Sequence, residues 1–250
     1  MPEGDAVRRT ADRLHRALGG RALTEWDIRW PRWATTDLRG ATTIGVTSRG
    51  KHLLHRLDSG HTLHTHLRME GSWQVRDKAS TSPGSLRRPD LRAVLGVEDT
   101  WALGIRLGRV DLVATAAEDR LVGHLGPDPL GDSWSASEAA ARLGASRAES
   151  LGAALLDQRL LAGLGTIWVS ETLYDVGVSP WVRPAEAPLD QVAERAAALL
   201  RAAAQTTRPR MQVYGRAGRS CARCGTAIRT GRVGRPPEDR RLFYCPRCQS

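Results

Sequence analysis

The chain has 250 residues, 41% of them hydrophobic, and 37 basic side chains against 27 acidic ones give a formal charge of +10. That length predicts two or three packed units, and the apolar fraction suffices for real cores. No apolar run reaches the length of a membrane span, and the start Met1-Pro2-Glu3-Gly4-Asp5 turns charged at once, so membrane, secreted and disordered classes are set aside.

Along the chain, Val7, Ala11, Leu14 and Leu18 recur at i, i+4, i+7 and i+11, which predicts an amphipathic helix from Asp5 to about Leu18. From about 21 to 114 the period shortens to two. Leu63, Thr65 and Leu67 alternate with His64 and His66, and Trp101, Leu103, Ile105 and Leu107 alternate likewise, as do Val110 and Leu112. Turn-forming pairs between these runs predict antiparallel strands in a sandwich or barrel. His64 and His66 share one strand face and His61 the other; with no nearby Cys or carboxylate to complete a shell, they are read as ordinary strand histidines.

After Leu125-Gly126-Pro127-Asp128-Pro129-Leu130-Gly131 the composition turns rich in Ala and Leu. Two capping boxes, Ser135-x-x-Glu138 and Ser146-x-x-Glu149, and the stripe Leu189, Val192, Ala196, Leu199, Leu200 and Ala203 predict about four helices. Gly163 and Gly165 interrupt an apolar helix before another begins, a helix-turn-helix whose turn amides can grip a phosphate or simply close a tight turn.

Residues 207–250 carry 11 Arg against Glu238 and Asp239, so +9 of the total charge lies there, as expected of a surface that meets nucleic acid. The same segment holds all four cysteines, as Cys221-x-x-Cys224 and Cys245-x-x-Cys248. That spacing fits a four-thiolate zinc site; four ligands close the shell, which predicts one structural zinc ion rather than a catalytic one. Charge and chemistry also meet at Lys51. Of the basic residues only Lys51 and Lys78 are lysines, and an ammonium can transfer a proton where guanidinium cannot. Lys78 lies in a loop, which leaves Lys51 as the candidate.

Removal of Met1 would expose Pro2, whose secondary amine can form an iminium with an aldehyde-level carbon; an α-amino group has a pKa of about 7.7–8.0 and is partly neutral at physiological pH. Glu3 beside it can donate a proton to a sugar ring oxygen. Nucleophile plus acid is the minimal equipment for cleaving a glycosidic bond.

The ordered set Pro2-Glu3-Gly4-Asp5, Ser48-Arg49-Gly50-Lys51-His52-Leu53-Leu54, His66-Leu67-Arg68-Met69-Glu70-Gly71, Gly163-Leu164-Gly165 and Val213-Tyr214-Gly215-Arg216 with the paired CxxC motifs resembles the formamidopyrimidine-DNA glycosylase and endonuclease VIII family, from residue 2 to 249. The resemblance implies an α+β multidomain fold: an N-terminal helix plus antiparallel β-sandwich catalytic domain (1–130), a helix-two-turn-helix DNA-binding domain (131–206) and a zinc-binding β-hairpin (207–250). It implies that Pro2 is the nucleophile, Glu3 the catalytic acid, and Lys51 a lysine that contacts phosphate and assists proton transfer. Arg68 and Met69 then contact DNA, Met69 as the wedge in the space left by a flipped base. Gly165 and Thr166 meet phosphate from the helical turn, and Arg240, five residues before Cys245, grips phosphate from the hairpin.

Three departures stand out. Ala6 replaces a second N-terminal Glu, Thr166 replaces the usual Asn, and Arg109-Val110-Asp111-Leu112 runs where the purine branch carries Arg-x-Phe-Gly. The last, with the short segment between Thr206 and Val213, favours endonuclease VIII. The implied function is a bifunctional DNA glycosylase/AP lyase that removes oxidised pyrimidines through a Schiff base and cleaves by β,δ-elimination. The implied partner is damaged double-stranded DNA, with no small-molecule cofactor, a monomeric state and a cytoplasmic, nucleoid-associated location. The competing expectation is a zinc-containing protein that binds lesions or junctions without catalysis.

Overall fold

The computed structural model describes residues 2–249. Helix α1 (Gly4–Leu18) carries Asp5 in its first turn and His15 and Arg16 in its last, the charge order that complements a helix dipole. Val7, Ala11, Leu14 and Leu18 are all buried, as their spacing predicts. Eight strands follow: β1 (Glu25–Ile28), β2 (Thr43–Arg49), β3 (His52–Leu57), β4 (His61–His66), β5 (Ser72–Asp77), β6 (Leu91–Gly96), β7 (Thr100–Ile105) and β8 (Arg109–Ala114). They form two four-stranded antiparallel sheets, ordered β2-β3-β4-β8 and β1-β6-β7-β5. One core draws Val46, Leu53, Leu57 and Leu63 from the first sheet, Trp26, Ile28, Trp73 and Leu95 from the second, and the buried stripe of α1. This is the expected sandwich. A short helix, α2 (Asp119–Val122), completes this unit, which ends at His124.

Burial in the first sheet has a cost in acid. His55 is 4% exposed and its Nε2 shares a 2.8 Å hydrogen bond with Thr43 Oγ1; burial holds its pKa down at about 4. The unfolded chain takes up that proton first, so the contribution is complete above about pH 6.5 and is lost as pH falls towards 4. Urea unfolding is expected to show a loss of about 2 kcal/mol from His55 alone between pH 7 and pH 5. His55→Asn should flatten that dependence; a slope unchanged by the substitution would count against the burial argument.

The second unit comprises residues 3–5 and everything from Leu125 onward, so it begins ahead of the expected boundary at 130/131. The reason is local: Gly126 N–H donates to Gln158 O and Ala162 N–H to Pro127 O, at 2.9 Å each, which ties 125–130 to the helices. Its helices are α3 (Ala136–Gly144), α4 (Leu151–Leu156), α5 (Thr166–Val176) and α6 (Leu189–Ala204). Ser135 caps α3 as expected, its Oγ accepting from Glu138 N–H at 3.2 Å. The second capping box does not form. Ser150 rather than Ser146 caps α4, because Leu151 and Gly152 N–H donate to Val182 O and Pro180 O and so fix the helix start.

Strands β9 (Arg229–Val233) and β10 (Arg240–Tyr244) make an antiparallel hairpin. Val233 and Leu242 sink into the same core as Leu151, Leu155, Trp168 and Leu200, so helices and hairpin form one unit rather than two. A Cβ on Gly152 would stand 2.9 Å from Leu242 Cδ1, which is why α4 has glycine where the hairpin packs. No described helix is long and apolar enough to cross a membrane.

Candidate active site and nucleic-acid interface

The start of α5 leaves backbone N–H groups without helical partners. Glu3 fills that place: Oε2 accepts from Gly165 N–H at 2.8 Å and Trp168 N–H at 3.2 Å, and Oε1 from Ile167 N–H at 2.8 Å. The side chain is 2% exposed. An ionised carboxylate is acceptor-only and suits three donors at the positive end of a helix. Both glycines of the turn now have a cause. Gly163 sits at φ +90° and its carbonyl accepts from Gly4 N–H at 2.9 Å; a Cβ on Gly165 would come within 2.5 Å of Glu3 Oε1.

Gly165 and Thr166 were both expected to meet phosphate through this turn. The Gly165 N–H is buried and committed to Glu3, whereas Thr166 is half-buried and its carbonyl accepts from Ser170 Oγ at 2.6 Å. Asp5 is committed as well, its Oδ1 accepting from Trp168 Nε1 at 2.9 Å. Pro2 is half-buried, and Met1, whose removal would free its amine, lies outside the described residues.

Lys51 occupies the two-residue turn between β2 and β3, with Gly50 at φ +57°. It is 8% exposed, buried rather than displayed. His52, next to it, pairs with His66 at the end of β4, so the Lys51 turn and the β4–β5 loop leave the same end of the sheet. That loop holds Arg68 and Met69. Arg68 is a non-glycine residue at φ +52°, its N–H donates to His66 Nδ1 at 2.9 Å, and a Cβ on Gly108 would lie 2.5 Å from its Cγ. Met69 is 69% exposed, which rules out a core role.

Cys221 Sγ lies 3.9 Å from Cys248 Sγ and Cys224 Sγ 3.5 Å from Cys245 Sγ, with no disulfide formed. All four sulfurs fall within 4.8 Å of one another. A tetrahedral ion with metal–sulfur bonds near 2.3 Å needs sulfurs about 3.8 Å apart, so the cluster has the spacing that could hold a metal ion. Burial pushes the Tyr174 hydroxyl pKa up, so it stays protonated and donates to Cys221 Sγ at 3.3 Å. Arg240 opens β10, exposed, its Nη1 donating to Glu238 O at 2.6 Å.

Sequence reasoning missed Glu171. Buried in α5, it accepts from Gln212 N–H at 2.8 Å, Val213 N–H at 3.0 Å and Tyr214 N–H at 2.8 Å, clamping the segment that leads to the cysteines. The available signal was an acid inside the apolar run 167–174. A second expectation is corrected: a carboxylate does stand beside the strand histidines. Asp111 reaches His64 from β8, with Oδ2 at 3.2 Å from Nδ1.

The family model for the formamidopyrimidine-DNA glycosylase N-terminal domain matches residues 1–105, and that for the formamidopyrimidine-DNA glycosylase H2TH domain matches residues 125–212. Among curated relatives, a probable endonuclease 8 2 of Streptomyces coelicolor is 46% identical, over 100% of this chain and 94% of its own. The DNA-(apurinic or apyrimidinic site) lyase Nei2 of Mycolicibacterium smegmatis is 41% identical, over 100% and 99%. The fold is similar to that of the Lactococcus lactis formamidopyrimidine-DNA glycosylase bound to DNA containing an AP site, with a TM-score of 0.85 at 22% identity and 99% coverage of both chains. With both its major segments and its full length matched, the chain belongs to the formamidopyrimidine-DNA glycosylase and endonuclease VIII family.

Proposed function

We propose that this chain is a bifunctional DNA glycosylase and AP lyase of base-excision repair, acting on oxidised pyrimidines in duplex DNA. The observation that carries the reading is the terminus Pro2-Glu3, with the Glu3 carboxylate seated on the first-turn amides of α5. A secondary amine attacking C1′ forms an N–C1′ bond, expels the base and sheds its own proton. A carboxylate beside it accepts that proton and returns it to the ring oxygen as the sugar opens, which leaves an iminium. Loss of the C2′ proton from the iminium then expels the 3′ phosphate, and a further elimination expels the 5′ phosphate. Glu3 therefore acts first as base and then as acid, starting as the carboxylate that three N–H donors face.

Lys51, Arg68, Thr166 and Arg240 are the proposed phosphate contacts, and Met69 the wedge. An exposed, unbranched apolar side chain fits the gap left by a flipped base. One zinc ion on Cys221, Cys224, Cys245 and Cys248 holds the hairpin, and the protein works as a monomer on one lesion in the nucleoid. The choice of pyrimidine lesions rests on the two relatives named for endonuclease 8 and Nei2, at 46% and 41% identity, against 34% for the formamidopyrimidine-DNA glycosylase of Paracoccus denitrificans.

Borohydride reduction during reaction with an abasic duplex tests the chemistry. A single covalent adduct is expected, mapping by peptide mass spectrometry to residue 2, and a variant with one residue inserted ahead of Pro2 should trap none. An adduct elsewhere overturns the nucleophile; no adduct, with tight binding to the abasic duplex, favours a binding protein. A panel of single-lesion duplexes reads specificity, and preference for 8-oxoguanine opposite cytosine would reverse the choice of branch.

A further inference from the structure

The imidazoles beside Lys51 form a hydrogen-bonded chain whose polarity the structure fixes. Asp111 Oδ2 accepts from Arg109 Nε at 2.6 Å and is therefore an acceptor towards His64 Nδ1, 3.2 Å away. His64 Nδ1 thus carries its proton, and His64 Nε2, in the neutral ring, has only a lone pair to offer. His52 Nδ1 lies 2.8 Å from that lone pair and must be the donor. The His52 and His64 rings are nearly parallel, 5.0 Å between centroids. On its other side His52 meets His66 edge-on at 5.0 Å and His124 at 6.3 Å. His66 Nδ1 accepts the Arg68 N–H, so its tautomer is fixed too.

We propose that His52, locked by His64 and Asp111, is a positioning residue for Lys51. The chain runs from β8 through β4 to the first residue of β3, so it pins one side of the two-residue turn that carries Lys51. Through the His52–His66 pair it pins the Arg68–Met69 loop to the same point. The chain keeps this polarity only while His64 is neutral: a second proton on His64 would set its Nε2–H against the Nδ1–H of His52 and force the His52 proton to its other nitrogen. Burial first, and the neighbouring histidines and Arg109 after it, hold His52 at about 3, and burial likewise lowers His64. A metal centre is not the explanation, because among the described residues only the four cysteines gather closely enough to hold an ion.

The inference rests on Lys51 taking part in the reaction, and the test separates the two ideas. Single-turnover scission of abasic duplex is measured for the wild type, Lys51→Ala, His64→Phe, His64→Gln and Lys51→Ala combined with His64→Phe, with thermal melts for each. His64→Phe should slow scission about tenfold, with DNA affinity and melting little changed. His64→Gln, whose amide supplies one acceptor and one donor, should recover most of the rate. In the Lys51→Ala background His64→Phe should cost less than about twofold, because its effect acts through Lys51. Full additivity, an unaffected His64→Phe rate, or a loss that tracks melting would each sink the positioning role. If Lys51→Ala itself scissions at the wild-type rate, the reading of Lys51 fails and the positioning role falls with it. Nitrogen NMR of the histidines gives an independent check: His52 and His64 should both be Nδ1-protonated at pH 7, and an Nε2-protonated His52 contradicts the chain.

Discussion

Gly165→Ala is expected to slow strand scission by about 100-fold, the scale of a catalytic group displaced by an ångström, with DNA binding retained. The new methyl would stand 2.5 Å from Glu3 Oε1 and 2.6 Å from Cδ. Glu3 cannot retreat along the chain, because Gly4 N–H is held by Gly163 O at 2.9 Å. The carboxylate must therefore leave the amides of Gly165, Ile167 and Trp168 and change its aim towards whatever Pro2 engages. The φ of Gly165 is −133°, an ordinary value, so the penalty is one of space and not of backbone conformation. Rates under single-turnover conditions, compared with Glu3→Gln, decide it. A Gly165→Ala enzyme at wild-type rate would show that the seat of Glu3 is immaterial to the chemistry.

The second large effect follows from the thiols. Removing the proposed zinc with a chelator, or substituting Cys221→Ser, is expected to abolish specific DNA binding and to lower the melting temperature of the helices as well. Structural zinc supplies about 10–16 kcal/mol in small domains, so without the ion the cysteine end of the hairpin loses its main tie. It does not unravel alone. Val233 and Leu242 lie in the core of α4, α5 and α6, and their withdrawal leaves a cavity beneath Gly152. Native mass spectrometry should find one zinc per chain. Metal-free protein that binds duplex as tightly as the holo form, with the helical melt unmoved, would refute the structural role.

Which parts of this arrangement were legible in the sequence depends on how local their causes are. The stripe of α1 and the cap at Ser135 are decided within one or two turns, and both appear where their spacing places them. The start of α4 is not local. Ser146 and Ser150 carry equal propensity to cap, and the choice falls to carbonyls of residues 180 and 182. The alternation in β4 reads as a half-buried strand, yet Thr62, Leu63, His64 and Thr65 are all buried, because β4 lies inside its sheet and is covered on both faces. Partners far apart in sequence stay invisible: Glu3 with Gly165, Glu171 with Val213, His64 with Asp111. The Gly-x-Gly pair was visible without its reasons, since Gly165 answers to a side chain 162 residues away and Gly163, at φ +90°, to the backbone of Gly4.

That separation in sequence bears on how the polypeptide can be divided. Residues 3–5 belong to the unit that resumes at Leu125, so a fragment starting there would keep its fold-forming apolar residues and lack its own cap. Three amides at the head of α5 and the indole of Trp168 would be stripped of their acceptors, and a synthetic peptide beginning Pro-Glu-Gly-Asp should dock back onto them. Dividing the gene between its two halves therefore requires the leading residues to reach the trailing piece again, joined to it or supplied separately, before the head of α5 is satisfied.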